Sequence, residues 1–136
     1  MPFRTPLVVR FGDLDPAGIV YYPRYGHLCH VAMEEFFHAA VGVDYPVLIR
    51  DHDVGFPVVH AETDYHRPLR YGEDLEIEVA VPRVGVTSVE WLYRFFHRGV
   101  ENPAAVCRTV TVCVSMRRFE KLPVPDWLAG KLRAAG

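Results

Sequence analysis

Cysteine is scarce in this chain, and its three residues, Cys29, Cys107 and Cys113, are odd in number. They lack the close pairing typical of zinc-binding motifs, so a cysteine metal site is not expected. Cys107 and Cys113 fall in one strand-like segment, where they would act as small apolar side chains. This usage predicts a reducing compartment.

Long apolar runs and an excess of one charge are also missing. No run approaches the ~20 residues needed to span a bilayer, and no charged segment followed by an apolar one opens the sequence. We therefore expect a cytoplasmic protein. The formal net charge is −2, with no long basic block, which argues against nucleic acid and membrane partners and favours small molecules or proteins.

The chain has 136 residues, half of them hydrophobic, with no internal repeat or low-complexity tract. This length and composition predict one domain over residues 1–136, with one core and no linker.

Apolar residues recur at helical spacing over residues 23–41 and predict one long helix. Pro23 stands at a favourable first position, and Gly42 follows the end. Residues 7–11, which precede this helix, predict a strand. The segment that follows the helix, as far as Asp53, has no regular pattern.

Strand patterns dominate the second half of the sequence. Residues 59–66 alternate as a half-exposed strand does, and strands are predicted at residues 75–81, 87–98 and 104–116, joined by short turns as an antiparallel meander. Residues 125–135 predict a short terminal helix. The order predicts an α+β fold in which an antiparallel sheet of about five strands wraps around one mostly buried helix. Free sheet edges predict self-association.

The most informative segment for chemistry is the loop that precedes the long helix. Asp15 follows an apolar strand, Pro16 and Gly18 turn the chain, and the helix begins near Pro23. A helix N-terminus exposes unpaired N–H groups that can hold a developing negative charge, so a carboxylate and an oxyanion site would be neighbours. Asp15 could instead cap backbone N–H groups. We expect Asp13 to fix the loop.

Four motifs resemble one known family. They are GDLDPAGIVYYP at residues 12–23, YHRP at 65–68, GEDLEI at 72–77 and GVTS at 85–88. Together they cover roughly residues 7–118, and by them the chain is identified as a member of the 4-hydroxybenzoyl-CoA thioesterase-like hotdog family.

The resemblance implies an acyl-CoA thioesterase that cleaves a small or medium acyl group, including an aryl one. It implies that Asp15 acts as the nucleophile or as a base that activates water, while the Tyr22 backbone N–H polarises the thioester carbonyl. Gly18, Ile19 and Val20 are assigned to substrate binding. No cofactor is implied beyond the coenzyme A of the substrate. The resemblance also implies a homodimer with sites at its interface, and we expect a homotetramer.

Two departures from the family affect specificity. His30 stands where the 4-hydroxybenzoyl-specific bacterial enzyme has an acidic residue, so a different acyl group is expected there. That enzyme also has a basic cluster near the nucleotide that is missing here, which leaves other cations to bind the CoA phosphates. The candidates are Arg83, Arg117 and Arg118.

Several other side chains have simpler interpretations. His27, His30, Glu34 and His38 share one helical side, but a His30–Glu34 hydrogen bond is favoured over a metal site. The aromatic residues of 91–96 are expected in the core.

Two alternatives to catalysis by Asp15 remain open. The first is a non-catalytic acyl-CoA binding or sensor protein on the same fold. The second is a Mg²⁺-dependent phosphatase that uses Asp13 and Asp15, which would need the parallel sheet that a meander of strands disfavours.

Overall fold

A computed structural model describes residues 2–135, which form a five-stranded antiparallel sheet packed against one long helix. The sheet order is β1-β3-β4-β5-β2, and a two-stranded ribbon, β6-β7, lies beside it. The predicted α+β class and five-strand sheet are confirmed. The elements are β1 (Phe3–Leu7), α1 (Arg24–Phe36), α2 (Tyr45–His52), β2 (Val58–Tyr65), β3 (Leu75–Val84), β4 (Ser88–His97), β5 (Ala105–Val112), β6 (Val114–Ser115), β7 (Glu120–Lys121) and α3 (Asp126–Ala135).

The first strand ends earlier than predicted. β1 pairs with β3 from Phe3 to Leu7, and the chain then leaves the sheet for a 3₁₀ turn at Phe11–Asp13. The prediction of a strand at residues 7–11 was therefore wrong beyond Leu7. The physical reason is the Asp13 carboxylate, which accepts the Arg10 backbone N–H at 2.8 Å and bends the chain.

The long helix is confirmed, with a change of winding near its end. α1 continues as one π-helical turn at Phe37–Val41, and the whole segment stops at Gly42, which adopts φ +83°. That left-handed conformation is the usual reason for glycine after a helix. The face of α1 toward the sheet is buried and consists of Tyr25, Leu28, Cys29, Ala32, Met33 and Phe36.

Residues 45–52 form α2, a helix that the sequence pattern did not reveal. Asp44 precedes its first turn in an extended conformation, and Pro46 lies within that turn. Only Tyr45 and Leu48 of the eight residues are buried, so the apolar periodicity is too short to identify a helix.

β2 lies at an edge of the sheet and pairs only with β5 among the described strands. The sequence predicted a half-exposed strand, but seven of its eight residues are exposed, including Val59 at 63% and Tyr65 at 50%. An edge strand left this open is a surface on which another strand can pair.

The meander β3-β4-β5 is confirmed, and its aromatic residues lie in the core as predicted. Trp91 packs edge-on against Phe36, with ring centroids 5.6 Å apart. Phe96 lies on the opposite face of the sheet, beneath the Arg4 guanidinium at 4.1 Å.

Residues 126–135 form α3, as predicted, and Leu128 and Leu132 bury its inner face. None of the helices within residues 2–135 is both long and apolar enough to cross a bilayer.

Candidate active site

The loop between β1 and α1 is held by Asp13. Its carboxylate is 3% exposed and accepts hydrogen bonds from the Arg10 backbone N–H at 2.8 Å and from Arg24 Nε at 2.9 Å. Its backbone carbonyl accepts the Tyr21 N–H at 2.8 Å. These bonds tie both ends of the loop together, in agreement with the structural role expected for Asp13.

Asp15 lies at the turn of this loop and is half-buried. Its backbone N–H donates to the Ile19 carbonyl at 2.9 Å, and its carbonyl accepts the Gly18 N–H at 2.9 Å. Gly18 adopts φ +81°, which other residues adopt only with strain. The predicted turn at Gly18 therefore sets the direction of the Asp15 side chain.

The two carboxylate oxygens of Asp15 have different surroundings. Oδ1 accepts the Ala17 N–H at 2.9 Å, so the capping interaction considered from the sequence does occur. Oδ2 has no hydrogen-bond partner within residues 2–135. One oxygen thus fixes the rotamer, and the other is free to act on a substrate.

The Tyr22 backbone N–H is unused within the same described residues. Its neighbours are engaged, since Tyr21 donates to Asp13 and Arg24 donates to the Tyr21 carbonyl at 2.8 Å. Pro23 caps α1 and has no N–H. The first free donor at the helix N-terminus is therefore Tyr22, at the place where the helix dipole favours negative charge.

Asp15 and Tyr22 line one outer cavity of about 430 Å³. This cavity adjoins an inner one of about 460 Å³ between α1 and the sheet. The two share a wall of three tyrosines, Tyr22, Tyr25 and Tyr65. A ligand in the inner cavity would therefore carry its reactive end past this wall toward Asp15.

The inner cavity is mostly apolar, with a few buried polar groups. Ala61 and Thr63 from β2 and Tyr93, Cys107 and Thr109 from the sheet interior contribute to it. Burial raises the pKa of the Tyr93 hydroxyl well above its usual value, so this group stays protonated at neutral pH. An apolar pocket with a few convergent polar groups is the usual form of a small-molecule site.

His30 lies between the inner cavity and a third one of about 630 Å³, which α2 and the β6-β7 ribbon border. Its Nδ1 lies 3.0 Å from Glu34 Oε2, so the predicted hydrogen bond is confirmed. Its ring meets Tyr45 edge-on at 5.5 Å. His30 is therefore placed to contact the far end of a ligand, not the end near Asp15.

The candidate site residues are brought together only in part. Ile19 and Val20 line the outer cavity with Asp15 and Tyr22, whereas Gly18 shapes the turn without lining it. The three arginines proposed to bind CoA line neither the outer nor the inner cavity; they are Arg83, Arg117 and Arg118.

A cation that the sequence analysis did not assign lies much closer to Asp15. Arg67, from the YHRP motif, lines the outer cavity together with His66. The motif was visible in the sequence, but its cation had no assigned role because the fold was needed to bring residues 65–68 beside the Asp15 loop.

Metal-binding side chains do not converge anywhere in the described part of the chain. Within residues 2–135, no three of the histidine, cysteine, aspartate and glutamate side chains come close enough together to hold an ion.

An antiparallel sheet packed on one long helix, with a cavity between them, is the architecture of the hotdog-fold thioester hydrolases. Comparison with known proteins agrees: residues 9–132 match the Thioesterase-like superfamily. The chain belongs to this superfamily, and the family-level resemblance of its motifs is confirmed.

Curated relatives with high similarity are 1,4-dihydroxy-2-naphthoyl-CoA hydrolases. That of Synechococcus elongatus is 36% identical over 126 residues, covering 89% of this chain and 90% of the relative. That of Nostoc punctiforme is 33% identical, covering 99% and 92%.

Solved structures agree on the fold. A Pseudomonas aeruginosa protein superposes with a TM-score of 0.87 at 26% identity, covering 98% of this chain and 90% of its own. A gentisyl-coenzyme A thioesterase gives a TM-score of 0.80 at 26% identity, covering 93% and 98%.

Proposed function

We propose that this enzyme hydrolyses 1,4-dihydroxy-2-naphthoyl-CoA to the free acid and coenzyme A. The observation that carries the proposal is the match of nearly the whole chain to hydrolases of that name, at 36% and 33% identity. The inner cavity, at about 460 Å³, falls within the roughly 300–1,000 Å³ typical of small-molecule sites, and its tyrosine-rich wall suits an aromatic ring.

The acyl groups named for the relatives share one chemical pattern. The 1,4-dihydroxy-2-naphthoyl group and the gentisyl group are both aromatic, with one hydroxyl beside the thioester carbonyl and a second hydroxyl para to the first. We infer that a hydroxylated aryl group occupies the inner cavity, with its distal edge toward His30.

In the proposed reaction the thioester carbonyl lies at the three-tyrosine wall. The Tyr22 N–H donates to its oxygen, and loss of such a donor typically costs roughly 3–4 kcal/mol of transition-state stabilisation. Asp15 Oδ2 then either attacks the carbonyl carbon to form a mixed anhydride or removes a proton from an attacking water. Both routes expel the coenzyme A thiolate, and in the first a water molecule then hydrolyses the anhydride to give the free acid and restore the Asp15 carboxylate.

A second copy of the chain would complete this site. The open edge of β2 supports dimerisation through that strand. Because β2 also lines the inner cavity, pairing there would shield the aryl group from water. Equilibrium sedimentation tests this: a dimer is expected and a monomer at micromolar concentration contradicts it. The homotetramer stays a prediction.

The CoA phosphates need cations at the mouth of the site. We propose Arg67 as one, because it lines the outer cavity. Arg83, Arg117 and Arg118 could contribute only from a partner subunit or along an extended nucleotide. Arg67→Gln should raise KM for the CoA thioester, with only a small fall in Tm from loss of the exposed hydrogen bond that Arg67 Nη2 donates to the Asn102 carbonyl.

The test of the proposed function is a steady-state panel of CoA thioesters. We expect the highest kcat/KM for 1,4-dihydroxy-2-naphthoyl-CoA, lower values for gentisyl-CoA and 4-hydroxybenzoyl-CoA, and the lowest for butyryl-CoA. A preference for the aliphatic thioester would contradict the aryl assignment. Tight binding without turnover would favour the non-catalytic binding protein.

A further inference from the structure

The inner cavity contains a nucleophile that the hydrolytic reaction does not use. Cys107 on β5 lies opposite Thr63 of β2 on one side and opposite Tyr93 of β4 on the other. Cys29 of α1 lines the same cavity, so one thiol from the helix and one from the sheet border the same space.

Access to this thiol pair is restricted to the cavity. Cys107 is 2% exposed and Cys29 is 3% exposed, yet both line a space large enough for an aromatic acyl group. Reagents in bulk solvent therefore reach them only by entering the site through the substrate's route.

The two thiols differ in acidity. The neighbouring Cys29 thiol lowers the pKa of Cys107 to about 7, against the opposing effect of burial and with help from Thr63. Burial raises the pKa of Cys29 well above its usual value. Cys107 is thus the more acidic of the two thiols, and the thiolate is the reactive form.

We propose that Cys107 is a site of covalent modification by aromatic electrophiles of the 1,4-quinone class that enter the acyl cavity. The thiolate sulfur would add to the unsubstituted carbon next to a quinone carbonyl. The electron pair of the attacked double bond moves to the oxygen of the other carbonyl, which takes a proton from solvent. The attacked carbon then loses its hydrogen as a proton and the nearer carbonyl oxygen gains one, so that the ring becomes a hydroquinone. No external oxidant is needed, because the quinone ring accepts the electron pair.

The class of electrophile rests on the proposed function, because a 1,4-dihydroxyaryl substrate becomes a 1,4-quinone when it loses two electrons and two protons. The reactive thiol itself rests only on the cavity and on its neighbours. An adduct at Cys107 would fill the acyl cavity and stop turnover.

The test uses 1,4-naphthoquinone on the folded, full-length protein, with intact mass and peptide mapping as readouts. We expect one adduct per chain at Cys107, with the mass of one quinone, less two hydrogens where air reoxidises it. Cys107→Ser should abolish fast labelling. Cys113 is the matched control, because burial raises its pKa to about 11 and it lies outside the cavity.

A second variant tests the role of Cys29. In Cys29→Ala the pKa of Cys107 should rise to its ordinary value of 9.0 or above, because burial then acts without the Cys29 thiol to oppose it. At pH 7 the thiolate fraction would fall by at least about 50-fold, while nucleophilicity would rise roughly 8-fold or more with basicity. The net labelling rate should therefore fall by at least about sixfold, and the midpoint of its pH profile should rise.

Labelling at Cys113 or Cys29 in place of Cys107, or a rate in Cys29→Ala equal to that of wild type, would overturn the inference. Neither result depends on thioester hydrolysis, so the proposed function stands or falls separately through the CoA thioester panel.

Discussion

Replacing Asp13 by asparagine should destabilise the fold, although Asp15, two residues away, should tolerate the same change. Asp13 is buried, and both of its oxygens are used, one by the Arg10 N–H and one by Arg24. An asparagine offers one oxygen and one NH₂ group, so one of these donors would face another donor.

The size of the effect follows from burial. Breaking a buried ion pair costs roughly 3–5 kcal/mol, but the Arg24 side chain is 40% exposed, so water compensates part of the loss. We expect Asp13→Asn to lower the free energy of unfolding by about 2–3 kcal/mol. For a chain of this size that corresponds to a decrease in Tm of roughly 8–12 °C.

Asp15→Asn is the matched control. The amide oxygen of asparagine can still accept the Ala17 N–H that Oδ1 accepts now, and Oδ2 has no partner to lose within residues 2–135. Its Tm should stay within about 2 °C of wild type. Urea unfolding and thermal melts of both variants provide the assay. Equal destabilisation by the two substitutions would refute the division of roles.

Three further predictions concern the helices and the core. Gly26→Ala should stabilise α1 by about 0.5–1 kcal/mol, because no atom outside its chain neighbours and its own helix backbone lies within 4 Å of the added methyl. Gly26 lines the inner cavity, so Gly26→Leu should project into it and raise KM for the aryl thioester about tenfold or more without lowering the Tm. Thr111→Val should cost about 1–3 kcal/mol in urea unfolding, because it leaves Trp91 Nε1, which now donates to Thr111 at 2.9 Å, buried without an acceptor. The Asp44 carboxylate raises the pKa of His38 above its ordinary value of 6.5. This pair therefore stabilises the fold below pH 6.5 and loses its effect as the pH rises through the raised pKa. An NMR titration of His38 should show the upward shift of the pKa, and Asp44→Asn should remove that shift.

The sequence predicted the meander, the long helix and the terminal helix because each has a clear apolar period and turn residues at its ends. It failed for α2, where only Tyr45 and Leu48 are buried. It also placed the first strand too late, at residues 7–11 and not at Phe3–Leu7. The apolar residues after Leu7 fit a strand pattern, whereas the pairing of Phe3–Leu7 with β3 is a tertiary contact.

For the candidate site, the sequence identified the Asp15 loop and the helix N-terminus because both lie in one continuous motif. Arg67 and the Cys29–Cys107 pair could not be placed in the same way. The positions of these residues depend on the pairing of β2 with β5 and on the packing of α1 against the sheet. Both contacts bring together residues that are far apart in the chain.

The most direct test of the central claim is kcat/KM for 1,4-dihydroxy-2-naphthoyl-CoA with wild type and with Asp15→Asn, each shown to be folded. We expect measurable turnover by wild type and a loss of about a thousandfold in the variant, equivalent to about 4 kcal/mol of transition-state stabilisation. A variant that retains more than a tenth of the activity would contradict the assignment of Asp15 as the catalytic carboxylate.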